Sequence, residues 1–178
     1  CALPIYSAGQ RCSALRVLCL QDDIAERTLA MLKGALAELS LGRTDKLSTD
    51  IGPVITAEAK ANIDAHIATM RDGGHRVEQL ALAGDTAHGT FVAPTIVELS
   101  DIAELEREVF GPVLHVYRYD PADLPAVARK LAARGYGLTH GVHSRIEAFA
   151  EEVKRLVPAG NVYVNRSIIG AVVAVQPF

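Results

Sequence analysis

Cys12, in the stretch GQRCSALRVLCL, is the side chain in the sequence that is best suited to act as a nucleophile. A cysteine attacks a carbonyl carbon only as the thiolate, which a neighbouring cation such as Arg11 or oriented backbone N–H groups would favour. The small residues Ala8, Gly9 and Ser13 leave room for a substrate. Taken alone, however, an unpaired cysteine more often packs in a core. Spacing by itself therefore leaves both roles open.

The other cysteines point away from structural or metal chemistry. Cys19 lies inside the apolar run VLCL, where core packing is expected, and Cys1, Cys12 and Cys19 form an odd set clustered at one end. That distribution argues for reduced thiols rather than a disulfide framework. No C-x-x-C pair and no helical i, i+4 histidine pair is present, so no metal site is predicted. A cysteine hydrolase with a histidine base remains a weaker alternative.

A second candidate constellation is EREVFGPVLHV, which begins at Glu106. Glu108 and Phe110 flank a turn made by Gly111 and Pro112, directly before a strand pattern. A carboxylate can accept two hydrogen bonds from a ribose diol, and an aromatic ring can pack against a nicotinamide. The alternative is a solvated run of charges beside a core phenylalanine. The stretch alone favours that alternative.

The elements that must position these residues follow from periodicity. Apolar residues recur every three or four positions after Asp23, after Thr56, over 124–135 and after Ser144, which predicts four amphipathic helices. Ser144 and Glu147 form a capping box that predicts the start of the fourth. Runs rich in β-branched and aromatic residues begin at Arg16, Arg76, Phe91, Val113, Leu138 and Asn161. This alternation predicts an α/β fold with a largely parallel sheet flanked by helices.

Composition narrows the class of protein. The chain has 178 residues, of which 49% are hydrophobic and 22% charged, enough for one sizeable core. The net charge of −3 gives no basic surplus, so no nucleic acid partner is expected. The sequence has no apolar run of about twenty residues, so no transmembrane segment is predicted. A cytoplasmic location is the default expectation.

Together, the two constellations resemble the aldehyde dehydrogenase superfamily over residues 6–178. The stretch GQRCSA is similar to that family's catalytic cysteine motif, and EVFGPV to its cofactor-ribose motif. Further similar blocks are GPVI, APTIV, YGLTHGVHSR and GNVYVN. Finer features resemble the L-glutamate γ-semialdehyde dehydrogenase branch, especially the dehydrogenase module of bifunctional proline utilisation A proteins. Peripheral contact with the inner membrane is a further expectation for that protein type.

The resemblance implies a role for each candidate residue. Cys12 would be the nucleophile that forms a thiohemiacetal and then a thioester. Glu108 would grip the nicotinamide ribose of NAD and Phe110 would position the ring, while Ser13 would help to hold the substrate carboxylate. FAD would belong only to a separate proline dehydrogenase module. The full-length parent is expected to act on a small-molecule aldehyde as a homo-oligomer.

The resemblance also implies what this stretch of chain does not contain. The family's nucleotide-binding domain, general base and oxyanion-hole asparagine precede the cysteine motif, so we expect these 178 residues to be inactive alone. Residues 1–5 match nothing in the family and are expected to be non-native, with 6–178 forming a partial catalytic domain truncated at both ends. Another aldehyde dehydrogenase substrate branch, or a non-catalytic interaction module of this type, remains an alternative.

Overall fold

The computed structural model describes residues 6–82, 84–169 and 175. In chain order, its elements are β1 (Val17–Gln21), α1 (Asp22–Ala37), α2 (Ala57–Asp72), β2 (Arg76–Gln79), β3 (Thr95–Leu99), β4 (Val113–Tyr119), α3 (Leu124–Ala132), β5 (Thr139–Val142), α4 (Glu147–Leu156) and β6 (Asn161–Val164). Short 3₁₀ turns lie at Tyr6–Gly9, Gly84–Ala87, Ile102–Glu104 and Pro121–Asp123. The expectation that residues 1–5 are non-native falls outside the described residues and stays a prediction.

The described strands form two sheets. The larger has the order β1-β4-β3-β2, in which β1, β4 and β3 are parallel and the edge strand β2 is antiparallel to β3. Strands β5 and β6 form a separate parallel pair. The predicted α/β class with a largely parallel sheet is therefore confirmed.

Helices cover both faces of the larger sheet, which explains the apolar character of its central strands. Helix α1 buries Ala25, Leu29, Leu32 and Leu36 against one face, in a cluster with Ile96, Leu114 and Val116. Helix α2 buries Ile63, Ile67 and Met70 against the other, in a cluster with Val97 and Val113. Each fully buried leucine or isoleucine contributes about 1.5–3 kcal/mol of transfer free energy. None of the described helices is both long and apolar enough to cross a bilayer.

Local sequence signals predict the start of α2 correctly and the start of α4 incorrectly. Helix α2 begins directly after Thr56 as predicted, and the Thr56 Oγ1 caps it by accepting a hydrogen bond from the Ala59 N–H at 3.0 Å. The capping box predicted at Ser144 is wrong. Ser144 Oγ accepts instead from the Ile146 N–H at 3.0 Å, and the backbone of Ser144 exchanges two hydrogen bonds with the Asn165 amide. Held in this way beside the end of β6, Ser144 cannot start the helix, which begins at Glu147.

The strand expected from Phe91 also starts later, at Thr95. Pro94 has no N–H to donate to a neighbouring strand, so the ladder cannot extend through it. The Leu80 N–H donates to the Pro94 carbonyl at 3.1 Å just beyond β2. Phe91, Val92 and Ala93 are nevertheless buried and belong to the core rather than to the ladder.

Candidate active site

The two candidate loops lie at the same edge of the sheet. Cys12 precedes β1, and Glu108 and Phe110 precede β4. Strands β1 and β4 are parallel neighbours in the register Val17↔His115, so their amino ends are adjacent. Parallel pairing thus brings together loops that are distant in the sequence. Open α/β sheets more often place a site at the carboxyl ends of strands.

Cys12 is exposed in a turn that is closed by a hydrogen bond from the Ala14 N–H to the Arg11 carbonyl at 3.0 Å. The turn before it is left-handed, since Ser7 and Ala8 have φ of 56° and 51°. Such a conformation costs a non-glycine residue roughly 1–2 kcal/mol, so surrounding contacts must hold it.

Gln10 supplies one of those contacts. Its Oε1 accepts from the Ile55 N–H at 2.8 Å, and its Nε2 donates to the Ser7 carbonyl at 3.1 Å. The cysteine loop is therefore fixed to the segment that leads into α2. The backbone that carries the thiol is thus held by contacts from another segment, as a positioned nucleophile requires.

Phe110 is exposed on the surface of the fold, whereas Glu108 is half-buried. The Phe110 residue is 42% exposed, so it does not have the core role that the sequence alone favoured. The backbone N–H of Glu108 donates to the Tyr136 hydroxyl at 3.1 Å. Gly111 passes so close to α2 that a Cβ there would lie 2.4 Å from Ile63 Cδ1. Glycine at 111 thus lets the loop approach the helix and turn into β4.

Arg16 joins the two loops. Its Nε donates to Glu108 Oε1 at 3.0 Å, and its guanidinium carbon lies 4.4 Å from the centre of the Phe110 ring. The two terminal nitrogens donate to the carbonyls of Gly9 and Arg11, on the N-terminal side of the thiol. Burial lowers the pKa of Arg16, and the hydrogen bond to Glu108 opposes that shift.

A histidine pair lies beneath Arg16. Both the backbone N–H and Nδ1 of His115 lie within hydrogen-bond distance of the Arg16 carbonyl, at 3.0 and 3.1 Å. A carbonyl only accepts, so Nδ1 carries the proton and Nε2 of His115 must accept from Nε2 of His66, 2.8 Å away. Burial lowers the pKa of His115 to about 4 and that of His66 below its usual value. Both rings are therefore neutral near pH 7.

The remaining predicted residues fall into two environments. Ser13, beside the thiol, is buried with 6% exposed. Cys19 lies within β1 and packs against the cluster of Ile102, Tyr119 and Val127. Burial raises the pKa of Cys19 to about 12, so this thiol is not a nucleophile at neutral pH.

Sequence reasoning missed Arg16, Tyr136 and His115 as parts of the site. A charged residue at the first position of an apolar strand pattern was the available signal for Arg16. The contacts of Tyr136 and His115 depend on tertiary packing and have no local signature. Among the described residues, no group of three or more histidine, cysteine or carboxylate side chains could hold a metal ion.

The residues present fit a nicotinamide dinucleotide. A half-buried carboxylate and an exposed aromatic residue lie in one loop, and the loop with the thiol is bound to them through Arg16. A carboxylate oxygen suits a ribose hydroxyl, and an exposed aromatic face suits a planar ring. Glu108 and Phe110 are the side chains that would hold that group.

Comparison with known proteins shows the family to which the chain belongs. The model of the aldehyde dehydrogenase family matches residues 3–178. The chain belongs to the aldehyde dehydrogenase family. Over 97% of its length it is 58% identical to the bifunctional protein PutA of Escherichia coli. It is 31% identical over 96% of its length to a 1-pyrroline-5-carboxylate dehydrogenase of Bacillus cytotoxicus.

Solved structures support the same family assignment. A crystal structure of a Bradyrhizobium japonicum proline utilization A variant superposes with a TM-score of 0.91 and 50% identity, covering 99% of this chain. The chain spans 18% of that structure and 13% of the Escherichia coli relative. It spans 33% of the Bacillus dehydrogenase. The resemblance read from the two motifs is thus confirmed at the level of the family and of these relatives.

Proposed function

We propose that the protein containing this chain oxidises L-glutamate γ-semialdehyde to L-glutamate with NAD+, as a step of proline catabolism. The observation that carries the proposal is the junction of the exposed Cys12 loop with Glu108 and Phe110 through Arg16. The identity to PutA and to 1-pyrroline-5-carboxylate dehydrogenase supports this substrate branch. Because the chain spans a minor part of those relatives, the activity is proposed for the whole protein and not for these 178 residues alone.

Cys12 acts as the nucleophile in the proposed reaction. Its sulfur attacks the aldehyde carbon and forms a hemithioacetal, whose oxyanion the cysteine's own backbone N–H helps to stabilise. NAD+ would supply the hydride acceptor when bound, and Glu108 and Phe110 are the residues that would hold its ribose and its ring. Removal of hydride leaves a thioester on Cys12, which water hydrolyses to the carboxylic acid and the free thiol.

Ser13 is proposed to hold the substrate's α-carboxylate. It is adjacent to the nucleophile, and its buried environment has a lower dielectric than water, which strengthens a hydrogen bond to a charged group. We expect Ser13→Ala to raise KM for the semialdehyde more than KM for NAD+. An equal rise in both constants would contradict this assignment.

Homo-oligomerisation of the whole protein stays a prediction.

The decisive experiment uses the complete open reading frame that encodes this chain. Cys12→Ala is assayed with L-glutamate γ-semialdehyde and NAD+ by NADH absorbance, and we expect a loss of about 10³-fold or more. Cys19→Ala is the matched control, since it removes a thiol with no path to the substrate, and it keeps wild-type turnover. Wild-type turnover by Cys12→Ala would refute the mechanism. Preference for an unrelated aldehyde would retain the mechanism and reject the substrate.

A non-catalytic interaction module is the competing hypothesis of another class. Such a role requires neither an exposed thiol nor a carboxylate and ring joined to the same loop. If the complete protein folds and binds NAD+ weakly or not at all, and oxidises no aldehyde, that hypothesis is favoured.

A further inference from the structure

Arg16 occupies a central place between the two loops of the site. Its side chain is only 14% exposed, yet it carries a charge and contacts three separate segments. These segments are the left-handed turn ending at Gly9, the turn that carries Cys12, and the Glu108–Phe110 loop. A buried charge is tolerated only when it is paired and hydrogen-bonded, and here each nitrogen of the guanidinium has an acceptor.

The geometry requires a guanidinium in particular. Its five N–H groups lie in one rigid plane, so Nε can serve a carboxylate while the two terminal nitrogens serve two backbone carbonyls. The guanidinium carbon also lies over the Phe110 ring, within cation–π distance of its centre. A lysine ammonium is a single point and cannot reach these groups together.

The backbone of Arg16 is fixed as firmly as its side chain. Its carbonyl accepts from the backbone N–H and from Nδ1 of His115, and His66 supports His115 from α2. The direction in which the side chain leaves β1 is therefore set by the sheet core. This anchorage makes Arg16 a rigid connection between the sheet and the site.

We propose that Arg16 is a positioning residue for the aldehyde oxidation, which holds the cysteine loop and the Glu108–Phe110 loop in one fixed relation. This inference rests on the proposed function and adds to it how the two loops are kept in register. The hydrogen bond from Arg16 goes to Oε1 of Glu108, so we expect a ribose hydroxyl to donate to Oε2. Arg16 itself touches neither the aldehyde nor the hydride.

The test compares Arg16→Lys, Arg16→Gln and Arg118→Gln in the complete open reading frame. Arg118 is the matched control, because it makes an Arg–Glu pair with Glu98 at the far end of β4, with Nη2 2.8 Å from Oε2. Three quantities are measured: the Kd for NAD+ by calorimetry, the steady-state constants, and the rate of Cys12 alkylation by iodoacetamide across pH. The first and third readouts do not depend on turnover.

We expect both Arg16 variants to weaken NAD+ binding by about tenfold or more and to lower kcat/KM by about 10²-fold. The rate of Cys12 alkylation changes in both, because the loop that carries the thiol is no longer held, and Arg118→Gln leaves all three quantities at wild-type values. Arg16→Lys with wild-type NAD+ affinity and alkylation would overturn the proposal, because a single ammonium cannot bridge the loops.

A double-mutant cycle with Glu108→Gln keeps the proposal testable if Arg16→Gln does not fold. If Arg16 acts through Glu108, Arg16→Lys adds little to the loss of NAD+ affinity that Glu108→Gln causes. Fully additive losses would contradict the positioning role. Absence of any aldehyde oxidation in the wild-type protein rejects the proposed function, whereas an active wild type with indifferent Arg16 variants rejects this inference alone.

Discussion

The Nε2 atoms of His66 and His115 lie 2.8 Å apart, joining helix α2 to the central strand β4. His115 is 1% exposed and uses Nδ1 to donate to the Arg16 carbonyl. Neutral rings satisfy this arrangement, whereas protonation of His115 would place a charge in a buried space and would require His66 Nε2 to change from donor to acceptor. The pair therefore links the state of the core to the start of β1.

Stability should consequently fall as the pH falls. Burial lowers the pKa of His115 from 6.5 to about 4, so the unfolded chain binds the proton first. The stability is complete above the unfolded pKa and is lost between about pH 6.5 and pH 4, by roughly 2 kcal/mol at about pH 5. Burial also lowers the pKa of His66 and His140, which adds in the same direction. Urea unfolding of the chain above pH 6.5 and at about pH 5 measures this loss of unfolding free energy.

His115→Asn is the control for this pH dependence. Its amide can still donate to the Arg16 carbonyl, but it does not titrate. We expect this variant to be less stable near neutral pH and to lose less stability on acidification. An unchanged acid response in His115→Asn would assign the effect to other groups.

Substitution at Gly111 should disturb the site loop through packing. Gly111→Ala places a Cβ 2.4 Å from Ile63 Cδ1, and such overpacking costs about 1–3 kcal/mol. Ile63→Val removes the clashing methyl group, so the double variant should lose less stability than the sum of the two single losses. Chemical denaturation of the four proteins gives the cycle.

Gly34→Ala is the matched substitution on an exposed face. No atom lies within 4 Å of a Cβ at Gly34, in the middle of α1, so alanine should stabilise the helix by up to about 1 kcal/mol. Destabilisation by Gly34→Ala, or a fully additive Gly111 and Ile63 pair, would count against these readings.

Cys12 and Cys19 should react at very different rates. Cys12 is exposed, whereas Cys19 is partly buried and its pKa is raised to about 12 by that burial. A limiting dose of iodoacetamide near neutral pH should alkylate Cys12 and leave Cys19 unmodified until denaturant is added. Peptide mass spectrometry distinguishes the two sites. Equal labelling in the folded protein would mean that β1 opens readily.

Loss of the Tyr136 hydroxyl should weaken NAD+ binding through the Glu108–Phe110 loop. Its hydroxyl accepts from the Glu108 N–H at 3.1 Å, and Tyr136→Phe removes only that acceptor. Loss of one partly exposed hydrogen bond of about 0.5–1.5 kcal/mol corresponds to a rise of about two- to tenfold in KM for NAD+. Tyr119→Phe, at the far end of β4, is the control in the steady-state assay. A kcat effect with unchanged KM would place Tyr136 in a different role.

The sequence predicted the fold more fully than the site. Apolar spacing located α1 and α2 and their buried faces, because amphipathic helices carry a strong periodic signal. It failed at Ser144, where a distant amide from Asn165 outcompetes the local cap. Local patterns do not contain such contacts.

In the candidate site, the roles of Cys12 and Glu108 are predictions that depend on the family resemblance, because their local sequence leaves other roles open. The fold brings their loops together through Arg16. The sequence does not predict the role of Arg16, because its contacts are with three segments that meet only in the folded chain. The tautomers of His66 and His115 likewise depend on atoms whose proximity no single segment encodes.

The parallel register Val17↔His115 has a consequence for insertions and deletions. One residue added between Cys12 and Val17, with this register retained, would displace the thiol by up to about 3.3 Å relative to Glu108. Residues added to the exposed loop around Lys46 would leave the relation between thiol and carboxylate unchanged. Strand pairing therefore sets the distance between the thiol and the carboxylate, and exposed loops between the two motifs can vary in length without changing that distance.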